Sequence, residues 1–196
     1  FLDLNNTIKD IFSLRDKVVV VTGAAGLLGR KHVEAIAQYG GTPILLDLHQ
    51  ETIDKLAQEL QEKYDVEAVG FTVDITNECE IEENANNVMK QFGRIDGLVN
   101  NAANNPKVED QDGKNFSRLE HFPLEIWNQD IAVGLTGAYL SAKHYGSKIA
   151  EGQCGGVIVN ISSDLGLIAP DQQLYMKEGL PREMQSVKPV TYSVVK

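Results

Sequence analysis

The chain has 196 residues, of which 42% are hydrophobic, and a formal net charge of -10. This length can bury the core of one globular domain, and no apolar run approaches the roughly 20 residues of a membrane span. The negative charge argues against nucleic acid and anionic membranes as partners, because both attract basic surfaces. Cys79 and Cys154 are isolated, which indicates free thiols and a reducing, cytoplasmic setting. The histidines show no paired ligand spacing, so no metal site is predicted.

Strand and helix patterns alternate along the chain. The predicted strands cover residues 17–22, 43–48, 66–73, 97–100 and 156–161, and the predicted helices cover residues 27–39, 52–64, 77–92 and 123–150. This alternation predicts an α/β fold, a doubly wound parallel sheet of the Rossmann type, in a single nucleotide-binding domain over residues 1–196. The chain lacks an initiating Met and stops at Lys196, inside a predicted helix. We therefore expect that the chain is truncated after the fifth strand.

The stretch from Lys17 to Arg30 carries the first functional signal. The buried-strand pattern Val18–Val21 leads into a turn with Gly23, Gly26 and Gly29, and a helix pattern follows. Backbone N–H groups at a helix N-terminus attract anions, and glycines let a pyrophosphate approach closely. The stretch predicts dinucleotide binding. A tight turn without a ligand is the alternative.

Polar residues follow several of the predicted strands. In a doubly wound sheet the carboxyl ends of the strands share one edge, where ligands bind. Asp47, 24 residues after Gly23, can accept hydrogen bonds from a ribose and repel a 2′-phosphate, which favours NAD over NADP. The alternative for Asp47 is a helix cap. Asp74 can bind an adenine amino group, and capping the next helix is compatible with that role.

Tyr192 and Lys196 are four residues apart, so a helix would place them on one face. A nearby cation favours the phenolate form of a tyrosine, which can then exchange a proton with an alcohol or carbonyl oxygen. This spacing alone is usually an exposed helix face. Ser163, after the fifth strand, adds a hydroxyl that can hydrogen-bond the reacting oxygen.

The chain resembles the short-chain dehydrogenase/reductase family over nearly its whole length. The matching motifs are TGAAGLLG at Thr22–Gly29, VDIT at Val73–Thr76, NNAA at Asn100–Ala103, NISSDLG at Asn160–Gly166 and YSVVK at Tyr192–Lys196. The resemblance implies an NAD-dependent oxidoreductase that transfers hydride between nicotinamide and a secondary alcohol or ketone. It further implies that Tyr192 is the acid/base, that Lys196 supports it and binds the nicotinamide ribose, and that Ser163 orients the substrate oxygen. The residues expected to bind the cofactor are Gly23, Ala25, Gly26, Leu27, Leu28, Asp47, Leu48, Asp74, Ile75, Asn101, Ala102, Ala103, Tyr192 and Lys196.

Three features depart from the family pattern. The glycine spacing GxxGxxG is that of sugar-nucleotide epimerases and dehydratases, which keeps an NAD-retaining epimerase or dehydratase open as an alternative. Gly134 stands where the family often has a catalytic Asn, so the proton relay through that Asn is in doubt, and a nucleotide sensor without catalysis is a third reading. The segment between Ser163 and Tyr192 is longer than usual.

The long segments suggest the substrate. Residues 164–191 and 104–121 are rich in polar side chains, and we interpret them as the substrate mouth, although a surface insertion explains them nearly as well. A polar mouth suits a hydroxyl-rich small molecule such as a sugar derivative. The first and last motifs are also similar to those of oxidoreductases of glycan biosynthesis or flagellin modification. The resemblance also implies a homodimer or homotetramer.

Overall fold

The computed structural model describes residues 11–104, 117–152 and 154–196. Five parallel strands form one sheet in the order β3-β2-β1-β4-β5. Their bounds are β1 Val18–Thr22, β2 Thr42–Asp47, β3 Val69–Thr72, β4 Gly97–Asn100 and β5 Val157–Asn160. The helices are α1 Leu27–Gln38, α2 Gln50–Tyr64, α3 Glu78–Phe92, α4 Leu124–Ile131, α5 Ala138–Glu151 and α6 Val190–Val195. The predicted α/β class with a doubly wound parallel sheet is confirmed.

The sheet is buried at its centre because both of its faces are covered. Successive side chains of a strand point to opposite faces. Val21 and Leu45 belong to a core cluster with apolar residues of α1 and α2, including Val33 and Leu56. Val20, one position earlier in β1, is also fully buried. This two-sided burial explains why the central strands are runs of Val, Ile and Leu rather than alternating patterns.

The predicted helix over residues 123–150 is interrupted. A π-helical turn, Ala132–Gly137, separates α4 from α5 along the chain. Two glycines lie in this turn, and each is a point of close approach. A Cβ on Gly137 would lie 2.7 Å from Cδ1 of Ile75. Such close contacts are set by distant parts of the chain, so helical periodicity alone could not reveal the π turn.

The chain forms two compact units. The first contains Phe1–Ala102 and Gly137–Asn160, and it holds the whole sheet with α1, α2, α3 and α5. The second contains Ala103–Thr136 and Ile161–Lys196. It holds α4, α6 and the three short 3-10 turns that lie between β5 and α6 in the chain. In the described ranges, no helix is both long and apolar enough to cross a membrane. The same ranges hold no group of three or more His, Cys, Asp or Glu side chains suited to a metal ion.

Candidate active site

The turn between β1 and α1 needs glycine at two positions. Gly23 has φ of +64°, and a Cβ there would lie 2.9 Å from Cα of Ala102. A Cβ on Gly29 would lie 2.8 Å from Cα of Ala24, so α1 can pack closely against the turn only with glycine at this position. The turn therefore presents bare backbone at the start of the helix.

The first N–H groups of α1 are open to a ligand. The N-cap residue, Gly26, has no side chain that could cap the helix. Leu27 and Leu28 are 87% and 53% exposed, and no hydrogen-bond partner of their N–H groups occurs in the described part of the chain. Unpaired N–H groups at a helix N-terminus are suited to an anion. The turn can therefore hold a pyrophosphate.

Asp47 ends β2 and is tied to the glycine turn. Its Oδ2 accepts a hydrogen bond from the Ala25 N–H at 3.0 Å, and its Oδ1 accepts one from the Leu48 N–H at 2.8 Å. The next helix, α2, has His49 as its N-cap residue, so Asp47 is not a helix cap. Each carboxylate oxygen retains a free lone pair. Asp47 can therefore accept a ribose hydroxyl while it holds the turn.

The end of β4 clamps the same turn. The Asn101 side-chain amide donates to the carbonyl oxygens of Thr22 and Gly23, at 2.9 and 3.1 Å. The hydroxyl of Thr22 accepts from the N–H groups of Asn101 and Ala102, both at 3.1 Å. The sequence predicts Asn101 and Ala102 as cofactor-binding residues, but the bracing of the turn by Asn101 was not predicted. The direct adjacency of β1 and β4 was the signal that could have indicated it.

The other predicted cofactor-binding residues differ in which of their groups are available to a ligand. Oδ1 of Asp74 accepts hydrogen bonds from the N–H and the hydroxyl of Thr76, while Asn77 caps α3. Asp74 thus fixes the turn before α3 without capping that helix. Ile75 is buried, so only its backbone is available to a ligand, whereas Leu48 is 60% exposed. Ala103, in the second unit, is exposed.

Asn100 supports the centre of the sheet. Its side-chain amide donates to Oδ1 of Asn160 at 2.8 Å and to the carbonyl oxygen of Ala138 at 3.3 Å. Its own Oδ1 is buried, with no partner among the described residues. Asn100 thereby joins β4 to β5 and α5, all within the first unit.

In the second unit, Ser163 begins a 3-10 turn, Asp164–Gly166, that packs against α6. The Ser163 hydroxyl donates to Oδ1 of Asp164 at 2.9 Å and accepts from the Leu165 N–H at 3.2 Å. The neighbouring Ser162 hydroxyl donates instead to the backbone carbonyl oxygen of Lys196. Of the two serines, only Ser162 hydrogen-bonds Lys196 at the end of α6. The Ser163 hydroxyl retains one lone pair that can accept a further hydrogen bond.

Helix α6 carries Tyr192, and Lys196 is its C-cap residue. The Lys196 ammonium donates to the carbonyl oxygen of Ile161 at 3.2 Å, which ties it to the segment just before Ser163. The Tyr192 hydroxyl makes no hydrogen bond within the described ranges, and its side chain is only partly buried. The three predicted catalytic residues therefore belong to one compact unit, in which the Ser163 turn and α6 are packed together.

Two neighbours of α6 were not predicted. The Lys188 ammonium lies 3.7 Å from the centre of the Tyr192 ring. The Thr191 hydroxyl donates to the buried carboxylate of Asp130 in α4 at 2.5 Å. The four-residue spacing from Lys188 to Tyr192 was visible in the sequence. Pro189 lies between them, however, and a proline disfavours a helix that contains both.

Gly134 lies in the π turn and faces α6. A Cβ on Gly134 would lie 2.6 Å from Cβ of Val195 and within 3.0 Å of both of its methyl groups. Val195 thus fills the space that a larger residue at position 134 would need. No empty space is left beside Gly134, because the branched side chain of Val195 on α6 lies against the glycine.

A glycine turn at a helix N-terminus, an acidic residue at the end of β2 and a doubly wound parallel sheet together define a nucleotide-binding α/β protein. The chain belongs to the short chain dehydrogenase family, whose family model matches residues 17–175.

Its relatives include dehydrogenases of polyols. The chain is 32% identical over 171 residues to the NADP-dependent mannitol dehydrogenase of Alternaria alternata, a match that covers 85% of this chain and 60% of the relative. It is 33% identical over 164 residues to the NAD-dependent glycerol dehydrogenase of Listeria innocua, covering 83% and 59%. Among solved structures, an NAD⁺-bound xylitol dehydrogenase matches with a TM-score of 0.74 and 26% identity, over 93% of this chain and 60% of that one. The chain thus spans about 60% of the length of these relatives.

Proposed function

We propose that this chain is the cofactor-binding and catalytic part of a short-chain dehydrogenase that oxidises a secondary alcohol or reduces the corresponding ketone. The observation that carries the proposal is the second unit, where Tyr192, Lys196 and the Ser163 turn are packed together. A phenol, an ammonium and a hydroxyl are the groups that proton exchange with a carbinol oxygen requires.

NAD is the proposed cofactor, and when bound it supplies the hydride acceptor or donor. Its pyrophosphate is assigned to the open N–H groups of Leu27 and Leu28, and its adenosine ribose to Asp47. The carboxylate of Asp47 disfavours the 2′-phosphate of NADP by charge repulsion. Of the next two residues, Leu48 carries no charge, and His49 is positive only when it is protonated. The relatives include both NAD- and NADP-dependent enzymes, so this preference rests on Asp47.

Each catalytic side chain has a distinct proposed role. Tyr192 accepts the hydroxyl proton of the alcohol during oxidation, or donates a proton to the ketone oxygen during reduction. The Lys196 charge favours the phenolate form of Tyr192. Ser163 hydrogen-bonds the same substrate oxygen, which requires its hydroxyl to turn away from Asp164. The hydroxyl can rotate freely enough for this exchange.

A polyol or related sugar derivative is the proposed substrate class. The mannitol, glycerol and xylitol dehydrogenases among the relatives support it. A recess of about 420 Å³ in the second unit, next to α6, is large enough for such a molecule. Its surface is mainly apolar, and its polar lining residues include Ser117, Arg118, Gln172 and Ser193. Most of this lining belongs to the two long segments, residues 104–121 and 164–191, that we interpret as the substrate mouth. Residues 105–116 of that assignment lie outside the described residues. A narrower role in glycan or flagellin modification, a cytoplasmic location and a homo-oligomeric state remain predictions.

The test is turnover by the intact protein with NAD or NADP and a panel of mannitol, threitol, xylitol and glycerol. We expect NAD-dependent oxidation of at least one polyol, and a loss of kcat of about a hundredfold or more in Tyr192→Phe. Turnover that is unchanged in Tyr192→Phe would contradict the catalytic assignment. Turnover of other ketones but of no polyol would contradict only the substrate class.

The same experiment addresses the epimerase or dehydratase alternative, which the glycine spacing favours. Such an enzyme would retain its NAD through purification and release no NADH during turnover. A nucleotide sensor would bind NAD, and Tyr192→Phe would leave its function unchanged.

A further inference from the structure

Lys188 is held in place by its backbone. Its N–H donates to the side-chain carbonyl of Gln172 at 2.8 Å. The preceding residue, Val187, donates its N–H to the Ser117 hydroxyl at 3.0 Å. The following residue, Pro189, is buried, is the N-cap residue of α6 and accepts a hydrogen bond from the Tyr192 N–H at 3.1 Å. A residue before proline is restricted to extended backbone. The Lys188 side chain therefore starts from a fixed point one turn before Tyr192.

The charge of Lys188 is directed at the Tyr192 ring. Its ammonium lies 3.7 Å from the ring centre, well within the distance of a cation–π interaction. Across the described part of the chain it pairs with no carboxylate. Lys188 is half-buried and lines a small recess together with Tyr192, Asn104 and Asp130. The ring is thus the principal partner of this cation.

A cation on the ring face distinguishes the two protonation states of a tyrosine. A phenolate carries part of its negative charge in the ring, so a cation above the face stabilises phenolate more than phenol. Lys196 has the matching position at the other end of α6, four residues after Tyr192. Two lysines therefore flank the tyrosine, at positions four before and four after it.

Two carboxylates on the packed neighbours oppose these cations. Asp130, from α4, lines the recess and accepts the Thr191 hydroxyl. Asp164, in the 3-10 turn packed on α6, accepts from the Ser163 hydroxyl and the Leu165 N–H. Both carboxylates have hydrogen-bond donors that partly satisfy their charge.

We propose that Lys188 is a positioning residue that stabilises the phenolate form of Tyr192, in addition to Lys196. The role of Tyr192 as acid/base rests on the proposed function. The link between Lys188 and the ionisation of Tyr192 does not depend on that role. The test therefore has one measurement with turnover and one without.

The variants are Lys188→Met, which keeps the apolar stem and removes the charge, and Lys188→Arg, which keeps a cation able to stack on the ring. Lys177→Met is the matched control, because Lys177 is an exposed lysine of the same segment. All are made in the intact protein.

The first measurement follows tyrosinate absorbance during a base titration, with the Tyr192 signal isolated by subtracting Tyr192→Phe. We expect Lys188→Met to move the midpoint of that signal upward by about half to one pH unit. Lys188→Arg should restore it, and Lys177→Met should leave it unchanged. A midpoint that does not move in Lys188→Met would overturn the inference, whatever the activity.

The second measurement is kcat/KM for the oxidised polyol between about pH 6 and pH 10. Lys188→Met should lose several-fold at the acidic end and recover toward the alkaline end. An equal loss at every pH, together with an unmoved titration midpoint, would mean that Lys188 only supports the fold or contacts substrate, and would overturn the inference. If the titration midpoint moves in Lys188→Met but turnover is unchanged in Tyr192→Phe, the proposed function is contradicted and the inference about Lys188 still holds.

Discussion

The carboxylate of Asp47 has two tasks at the end of β2. It accepts the Ala25 N–H and so holds the glycine turn, and it is the group proposed to select NAD by its charge. Asparagine separates the two tasks, because its one amide oxygen can still accept the Ala25 N–H while the negative charge is lost; its NH2 group replaces the oxygen that accepts the Leu48 N–H.

We therefore expect Asp47→Asn to keep the turn folded while the preference for NAD over NADP falls by about tenfold or more. Loss of the repulsion toward the 2′-phosphate is the reason. Dissociation constants for both cofactors, measured by isothermal titration calorimetry, check this. Asp54→Asn, on the exposed face of α2, is the control. An unchanged ratio of the two constants would contradict the assignment of Asp47.

Gly134 and the branched side chain of Val195 are in direct contact. Gly134→Ala would place its Cβ 2.6 Å from Cβ of Val195, which the packing cannot accept without a shift of α6. We expect this substitution to lower the free energy of unfolding by about 1–3 kcal/mol. Chemical denaturation measures it.

The double substitution Gly134→Ala with Val195→Ala tests the same contact. Removing the branched side chain makes room for the new Cβ, so the two changes together should cost less than the sum of the single changes. Additive losses would show that the contact does not limit position 134.

At the scale of elements, the positions of the strands followed from the sequence because they depend on local hydrophobic patterns. The strand β4 was predicted with its observed bounds, and the others differ by one to three residues at their ends. The π turn before α5 and the bracing of the glycine turn by Asn101 did not follow. Both depend on contacts between residues far apart in the chain, which no local pattern encodes. The Lys188–Tyr192 contact is local, but the lysine backbone is held by the hydrogen bond that its N–H donates to the side-chain oxygen of Gln172, 16 residues earlier in the chain.

The start of β4 is joined to β1 by one nearly buried carboxylate. Asp96 accepts from Arg94 and from the Val18 N–H at 2.9 Å, and it pairs with Lys17 at 3.3 Å. Burial alone would raise the pKa of Asp96, but Arg94, the Val18 N–H and Lys17 outweigh it and hold the pKa below its usual value. The folded state therefore binds the Asp96 proton less tightly than the unfolded chain.

The sign of the pH effect follows from this lowered pKa. The stability contributed by ionised Asp96 is present above the unfolded pKa, and it is lost as the pH falls through the lower, folded pKa. We expect Asp96→Asn to cost about 1–3 kcal/mol at neutral pH. The difference from the unsubstituted protein should shrink as both are acidified. Urea denaturation at several pH values measures it, and a difference that stays constant into acid would contradict the role of the charge.

At the scale of the whole molecule, ligand binding can be tested separately in each compact unit. The glycine turn and Asp47 belong to the first unit, and Tyr192 and Lys196 belong to the second. A ligand that binds only the folded state stabilises it, by about 2.7 kcal/mol at a concentration of 100 times its dissociation constant. ADP-ribose carries the pyrophosphate and adenosine but lacks the nicotinamide, so it reports on the first unit alone.

We expect ADP-ribose to raise the melting temperature of the protein by several degrees, since a 150–250-residue protein gains roughly 2–4 °C per kcal/mol. Asp47→Ala should remove most of this gain, whereas Tyr192→Phe should leave it intact. Differential scanning calorimetry measures the shift and also shows whether the two units melt in one transition or two. If the units melt separately, ADP-ribose should raise only the transition that Asp96→Asn lowers, because Asp96 lies in the same unit as the glycine turn. A gain that survives Asp47→Ala and disappears in Tyr192→Phe would place the adenosine end away from the glycine turn and would contradict the proposed cofactor site.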